Sequence, residues 1–149
     1  MLLLLVLLTI GTLALVRWQA AGVAHTISPP AGAVPFRSAG GPNDLVVLDR
    51  ALTVARSLRT DRGGATVRTY ELPPGSPWLQ ARKVVATQLD HWEQLGDCVE
   101  DSDARIVECS WREPTHWWPR DVQLTLLRPS PPGATRDAAF LIIGSGRGR

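Results

Sequence analysis

The feature that most limits what this chain can fold into lies at its start. Residues Leu2 to Val16 form a run that is apolar apart from two threonines and one glycine. A helix apolar on every side belongs inside a large core or in lipid, so this run does not read as part of a small globular domain. As a helix, fifteen residues span about 22 Å, short of the roughly 30 Å hydrocarbon layer of a bilayer. That length suits the apolar core of a signal peptide, and Gly22-Val23-Ala24 offers the small residues a signal peptidase reads, with cleavage after Ala24. If Arg17 extends its charge to the interface, the same segment reaches Ala24 and can stay as an uncleaved anchor. Residues 1–24 are therefore read as a signal peptide or membrane anchor. One charge disagrees with export. Arg17 follows the run and no Lys or Arg precedes it, a bias that favours a cytoplasmic C-terminus.

Residues 25–42, "HTISPPAGAVPFRSAGGP", are rich in Pro, Gly, Ala and Ser and read as a flexible linker. About a hundred residues remain, enough for one domain with a modest core. The net charge of +2 is too small to imply nucleic acid, and no nucleic-acid-binding signature appears. Fifteen arginines against the single Lys83 fit the codon bias of a GC-rich genome.

Residues 43–149 read as a single α+β domain. Asn43 is placed to cap a helix over about 44–59, with Asp44 in its first turn. Leu45, Leu48, Leu52 and Ala55 make its apolar face, with Ala51 and Leu58 beside them. "ATVRTYEL", Ala65 to Leu72, has strand composition. Ser76 and Pro77 then open a long helix expected over about 77–95 and stopped by Gly96. Its stripe is Trp78, Ala81, Val85, Leu89 and Trp92. "DCVE", "RIVECSW", "DVQLTLLR" and "AAFLIIGS" follow as four further strands, with Val107, Cys109 and Trp111 on one face and Val122, Leu124 and Leu126 likewise. The expected fold is an antiparallel sheet of four to five strands with the 77–95 helix across one face. Trp78, Trp92 and Trp111 should meet in its core, each burying about 150–250 Å². "IIGSGRGR" at the end reads as a frayed basic tail: Gly144-Ser145-Gly146 lacks the following helix that a phosphate loop needs.

Cys98 and Cys109 are the only cysteines. If "CVEDSDARIVEC" is a hairpin turning at Asp103-Ala104, Asp101 faces Ile106 and Cys98 faces Cys109. Directly opposed residues lie about 4.5–5.5 Å apart at Cα, which a disulfide bridges. Such a bond is worth about 3 kcal/mol and persists only outside a reducing compartment. The alternatives are two buried thiols, or a zinc site with His91 and His116, for which the usual two-residue spacing is missing.

The stretch "ECSWREPTHWWPRD", Glu108 to Asp121, concentrates tryptophan, arginine and histidine between two prolines. Arg112, His116, Trp117, Trp118 and Arg120 are the candidate binding surface: a stiff loop on which extended backbone turns one indole in and the next out, flanked by arginines. The competing reading folds both indoles over the open end of the sheet as a lid. His116 with Glu113 and Asp121 nearby is a candidate general base for a small enzyme, though no catalytic signature surrounds it. No cofactor motif appears. The functional expectation is an exported or membrane-anchored binding or accessory domain of the cell envelope. It would meet the membrane through its N-terminal segment and an envelope protein or glycan through the loop. The alternatives are a small enzyme using His116 and a structural subunit of a membrane complex.

Overall fold

The computed structural model describes residues 1–59, 64–101, 105–129 and 138–147. The elements run in the order α1 (Leu2–Ala21), β1 (Val34–Pro35), α2 (Asp44–Leu58), β2 (Thr66–Leu72), α3 (Trp78–Gln88), β3 (Glu93–Gln94), β4 (Val99–Glu100), β5 (Ile106–Arg112), β6 (Arg120–Leu127) and β7 (Ala139–Arg147). The fold is α+β, with an open antiparallel sheet ordered β1-β2-β7-β6-β5-β3 and β4 paired to β5. The sheet has seven strands among the described residues, against the four to five expected. Both extra strands, β1 and β3, are two residues long, too short for alternation to reveal.

Alternation along the long strands builds two faces. On one, Val107, Cys109 and Trp111 of β5 stand opposite Leu126, Leu124 and Val122 of β6. With Tyr70, Leu72, Leu141 and Ile143 they form the main core, which Ala81 and Val85 of α3 and Leu89 just after it cover. Trp111 is 3% exposed, while Trp78 and Trp92 pack on the rim of that core, half-buried. On the other face Phe140, Ile142, Gly144 and Gly146 of β7 lie under α2. The two glycines explain how closely α2 lies: a Cβ on Gly144 would stand 2.6 Å from Val54, and one on Gly146 would stand 2.6 Å from the Leu58 carbonyl oxygen. The Gly-Ser-Gly segment is thus buried within a central strand, near its C-terminal end, rather than a frayed tail.

Three further expectations are corrected. The long helix ends at Gln88 instead of near residue 95. Asp90 and His91 are weak helix formers, and the chain gains more by turning at Leu89 and pairing Glu93-Gln94 with the edge of β5. Ser76 does not cap this helix; its hydroxyl donates to the Pro73 carbonyl at 2.6 Å, and Pro77 takes the cap position. The second correction concerns α2, which buries Val47, Val54 and Leu58 and turns Leu45, Leu48 and Leu52 to the exterior. Both stripes are apolar, so spacing alone does not choose between them. The glycine trough in β7 does, together with Arg50, which reaches across the sheet to Glu108 at 2.6 Å. Asn43 makes no side-chain cap; instead the Asp44 carboxylate turns back to accept from the Ser38 hydroxyl and the amides of Ala39 and Gly40.

The third concerns the segment 25–42, expected as a flexible linker. It lies along the domain. The His25 amide donates to Ser145 Oγ at 3.0 Å, Ile27 is buried in the main core, and Ser28 exchanges hydrogen bonds with Gln88. Val34-Pro35 then pairs with Glu71 and Tyr70 at the sheet edge, and Phe36 meets Phe140 edge-on at 5.5 Å.

The hairpin register follows the expected one. Val99 pairs with Glu108 and Glu100 with Val107, and the Asp101 amide donates to the Ile106 carbonyl. That sets Cys98 opposite Cys109 with Cα atoms 4.4 Å apart, and the two are joined in a disulfide. The sulfurs are bonded to each other and so are not thiolates for a metal. The expected turn at Asp103-Ala104 lies outside the described residues.

Candidate functional site

The loop between β5 and β6 stands on a neck of crossed ion pairs. Arg112 and Asp121, paired in the ladder, form a two-pronged bond with both contacts at 2.9 Å. One residue further on, Arg120 grips Glu113 at 3.0 and 2.9 Å, and the Glu113 amide donates to the Arg120 carbonyl. Fork-to-fork pairs of this kind fix geometry as well as charge. Above the neck, the Thr115 amide donates to the Glu113 carbonyl and the Trp117 amide to Thr115 Oγ1. Six residues, 114–119, are thereby closed into a compact turn.

Both indoles face outward. Trp117 is 48% exposed and Trp118 36%, and neither joins a core cluster. They meet edge-on with ring centroids 6.3 Å apart. The expectation that one would turn in and the other out fails because the backbone is not extended here: Trp118 has φ 53°, the left-handed region that a bulky residue rarely enters. Such a conformation costs about 1–3 kcal/mol, and the neck holds it in place. The lid reading fails with the same observation.

The two arginines expected to flank the aromatic surface are both paired. Arg112 is committed to Asp121, which raises its pKa further, and Arg120 is committed to Glu113 while its guanidinium lies 5.5 Å over the Trp92 ring. His116 is exposed, and among the described residues no hydrogen bond joins it to Glu113 or Asp121, the two acids placed nearby by sequence. His91 is exposed too, with Asp90 at 3.5 Å.

What the sequence did not signal is the partner of this loop. Arg17, near the end of α1, forms an ion pair with Glu113 at 2.6 Å and donates through Nε to the Trp117 carbonyl at 3.3 Å. Beside it, Arg147 at the end of β7 lies 6.0 Å over the Trp18 ring, and Ala21 is buried. The apolar helix is thus fastened to the neck of the tryptophan loop. Partial burial pushes the Glu113 carboxyl upward, but hydrogen bonds from Arg120 and Arg17, with their charges, outweigh it and hold the group at about 2. His25 joins the cluster from the other side, with its ring 4.9 Å from Trp92. Burial and then the Arg120 charge lower its pKa, against a smaller pull from Glu113. The cluster lowers the pKa of two titratable groups and holds four elements together: α1, the segment after it, the turn at Trp92 and the β5–β6 neck.

The apolar helix is long enough to cross a membrane by length and composition, and with the disulfide it points to export or membrane anchoring. No family model, curated protein or solved structure matches the chain.

Proposed function

We propose that this chain is an extracytoplasmic domain held at the membrane by an uncleaved N-terminal anchor, and that it works there as a binding or accessory module through the 112–120 loop. The observation that carries the reading is the bridge from Arg17 to Glu113 and to the Trp117 carbonyl. Cleavage after Ala24 would remove Arg17, Trp18 and the buried Ala21, and would leave Glu113 with Arg120 alone. The His25 amide, one half of the peptide bond at issue, is itself engaged by Ser145. The disulfide supports the side of the membrane, since such a bond persists in an oxidising compartment. In this orientation the Arg17 charge is matched, in the folded protein, by a carboxylate of the exported domain. An envelope protein, a glycan or a lipid headgroup is a partner of the kind an exposed Trp pair recognises.

Reporter fusions after Arg149 test this reading. Alkaline phosphatase at that position should be active and green fluorescent protein dark. Fluorescence without phosphatase activity would show that the positive-inside bias of Arg17 prevails and that the domain is cytoplasmic.

A further inference from the structure

The loop has a surface beside it that no soluble partner needs to supply. The last apolar residue of α1 before the first charge is Val16, which is 63% exposed. Five residues later Ala21 is buried against the domain. At about 1.5 Å per residue that interval is about 8 Å. The polar layer of one leaflet, taken as half the difference between a 40–45 Å bilayer and its 30 Å core, is about 5–8 Å thick. A run shorter than the hydrocarbon layer is met by local thinning of the bilayer; with Val16 then at the hydrocarbon edge, whatever touches α1 between Arg17 and Ala21 lies within the headgroups. The tryptophan loop touches it there, through Arg17.

We propose that Trp117 and Trp118, with Trp18, form a collar of indoles seated in the lipid headgroup layer around the exit point of α1. The inference rests on the anchoring proposed above, and it assigns lipid as the occupant of the loop. Three observations support it. Trp18, Trp117 and Trp118 are the three tryptophans outside the core and its rim, with exposures of 49%, 48% and 36%. Indoles are amphipathic and collect at the level of the headgroups. The strained backbone at Trp118 keeps both rings of the loop outward, a cost without return if the rings met only water. A protein or glycan arriving from the aqueous side would meet the opposite end of the sheet.

The test uses the full chain, labelled with 5-fluorotryptophan and reconstituted in vesicles of equal parts phosphatidylcholine and phosphatidylglycerol. The six indoles give six fluorine resonances. W18F, W117F and W118F, each conservative and outside the core, assign three of them by loss of a signal. The depth measurement itself is made on the unaltered sequence. A phosphatidylcholine with a nitroxide at its headgroup should broaden Trp18, Trp117 and Trp118 several-fold more than the other three resonances, and a water-soluble gadolinium chelate should broaden them little. If Trp117 and Trp118 respond to the chelate and not to the lipid nitroxide, while alkaline carbonate leaves the chain in the vesicles, the collar is wrong and the anchor stands. The loop is then free for a protein or glycan. If carbonate strips the chain from the vesicles, the anchor is wrong and the collar falls with it.

Discussion

Glu113→Gln is the substitution that probes the junction between anchor and domain most sharply. It keeps the shape of the side chain and removes the charge that Arg17 and Arg120 share. Holding a carboxyl at about 2 against its ordinary 4.5 sets a ceiling of about 3.4 kcal/mol on what the ionised form contributes. The group and its partners all reach solvent, with side-chain exposures of 14% for Glu113, 25% for Arg17 and 18% for Arg120. Screening therefore reduces the figure to about 1–2 kcal/mol. The sign follows from the lowered pKa. The contribution is complete above the ordinary value of 4.5 and is lost as pH falls toward 2. His25 acts in the same direction over a higher window: its lowered pKa means that stability is eroded as pH falls below 6.5. The assay is urea unfolding of the full chain in detergent micelles, from neutral pH down to the acid limb. The variant should lose about 1–2 kcal/mol at neutral pH and show a shallower acid limb below 4.5, so that the two proteins converge at low pH. A double cycle with Arg17→Gln should show coupling, because the two side chains touch. Equal stability at neutral pH, or an unchanged acid limb, would refute the assignment of Glu113 as the shared anion of this junction.

Other substitutions test separate parts of the fold. Gly146→Ala sets a methyl group 2.6 Å from the Leu58 carbonyl, so α2 must lift, and chemical denaturation should register a loss of about 1–3 kcal/mol; an unchanged midpoint would mean that α2 is not seated on β7. Trp111→Ala, at a site 3% exposed, should cost about 3–5 kcal/mol in thermal unfolding. Trp117→Ala, at a site 48% exposed, should stay within about 0.5 kcal/mol, and the reverse ranking would restore the lid. Replacing Cys98 and Cys109 together by Ala should cost about 3 kcal/mol. Non-reducing peptide mapping that found both thiols free to alkylate would remove the bond altogether.

The sequence was most informative where two constraints coincided. The Cys98–Cys109 pairing followed because hairpin symmetry and disulfide reach agree on one register, and β4–β5 has that register. The long strands were legible because a half-buried strand must alternate, and Val107-Cys109-Trp111 does. The helix α2 was legible in extent but not in orientation. Its leucine and valine stripes are both apolar, and the choice between them is made by glycines almost ninety residues away. The end of α3 was hidden because Trp92 and Leu95 continue a helical spacing by coincidence, while the competing pull, an open edge on β5, is non-local. Composition misread residues 25–42, because a Pro-rich segment with one buried Ile and one strand pair looks the same as a free linker. Of the site, the five residues 112, 116, 117, 118 and 120 were placed in one loop by their proximity in sequence. Their partner Arg17 lies about a hundred residues away, and no local pattern pointed to it. The left-handed turn at Trp118 was equally out of reach, since tryptophan carries no preference for it.

The central claim is that the apolar helix remains part of the working protein and is fastened to the domain outside the reducing cytoplasm. An intact mass of the protein, extracted from membranes without reductant, tests it directly. The account predicts a species that retains Arg17, Trp18 and the Ala24–His25 bond and carries the Cys98–Cys109 bond, recovered with the membrane fraction. A soluble species beginning at His25 would contradict it, because the ion pair between Arg17 and Glu113 would then never exist in the mature protein.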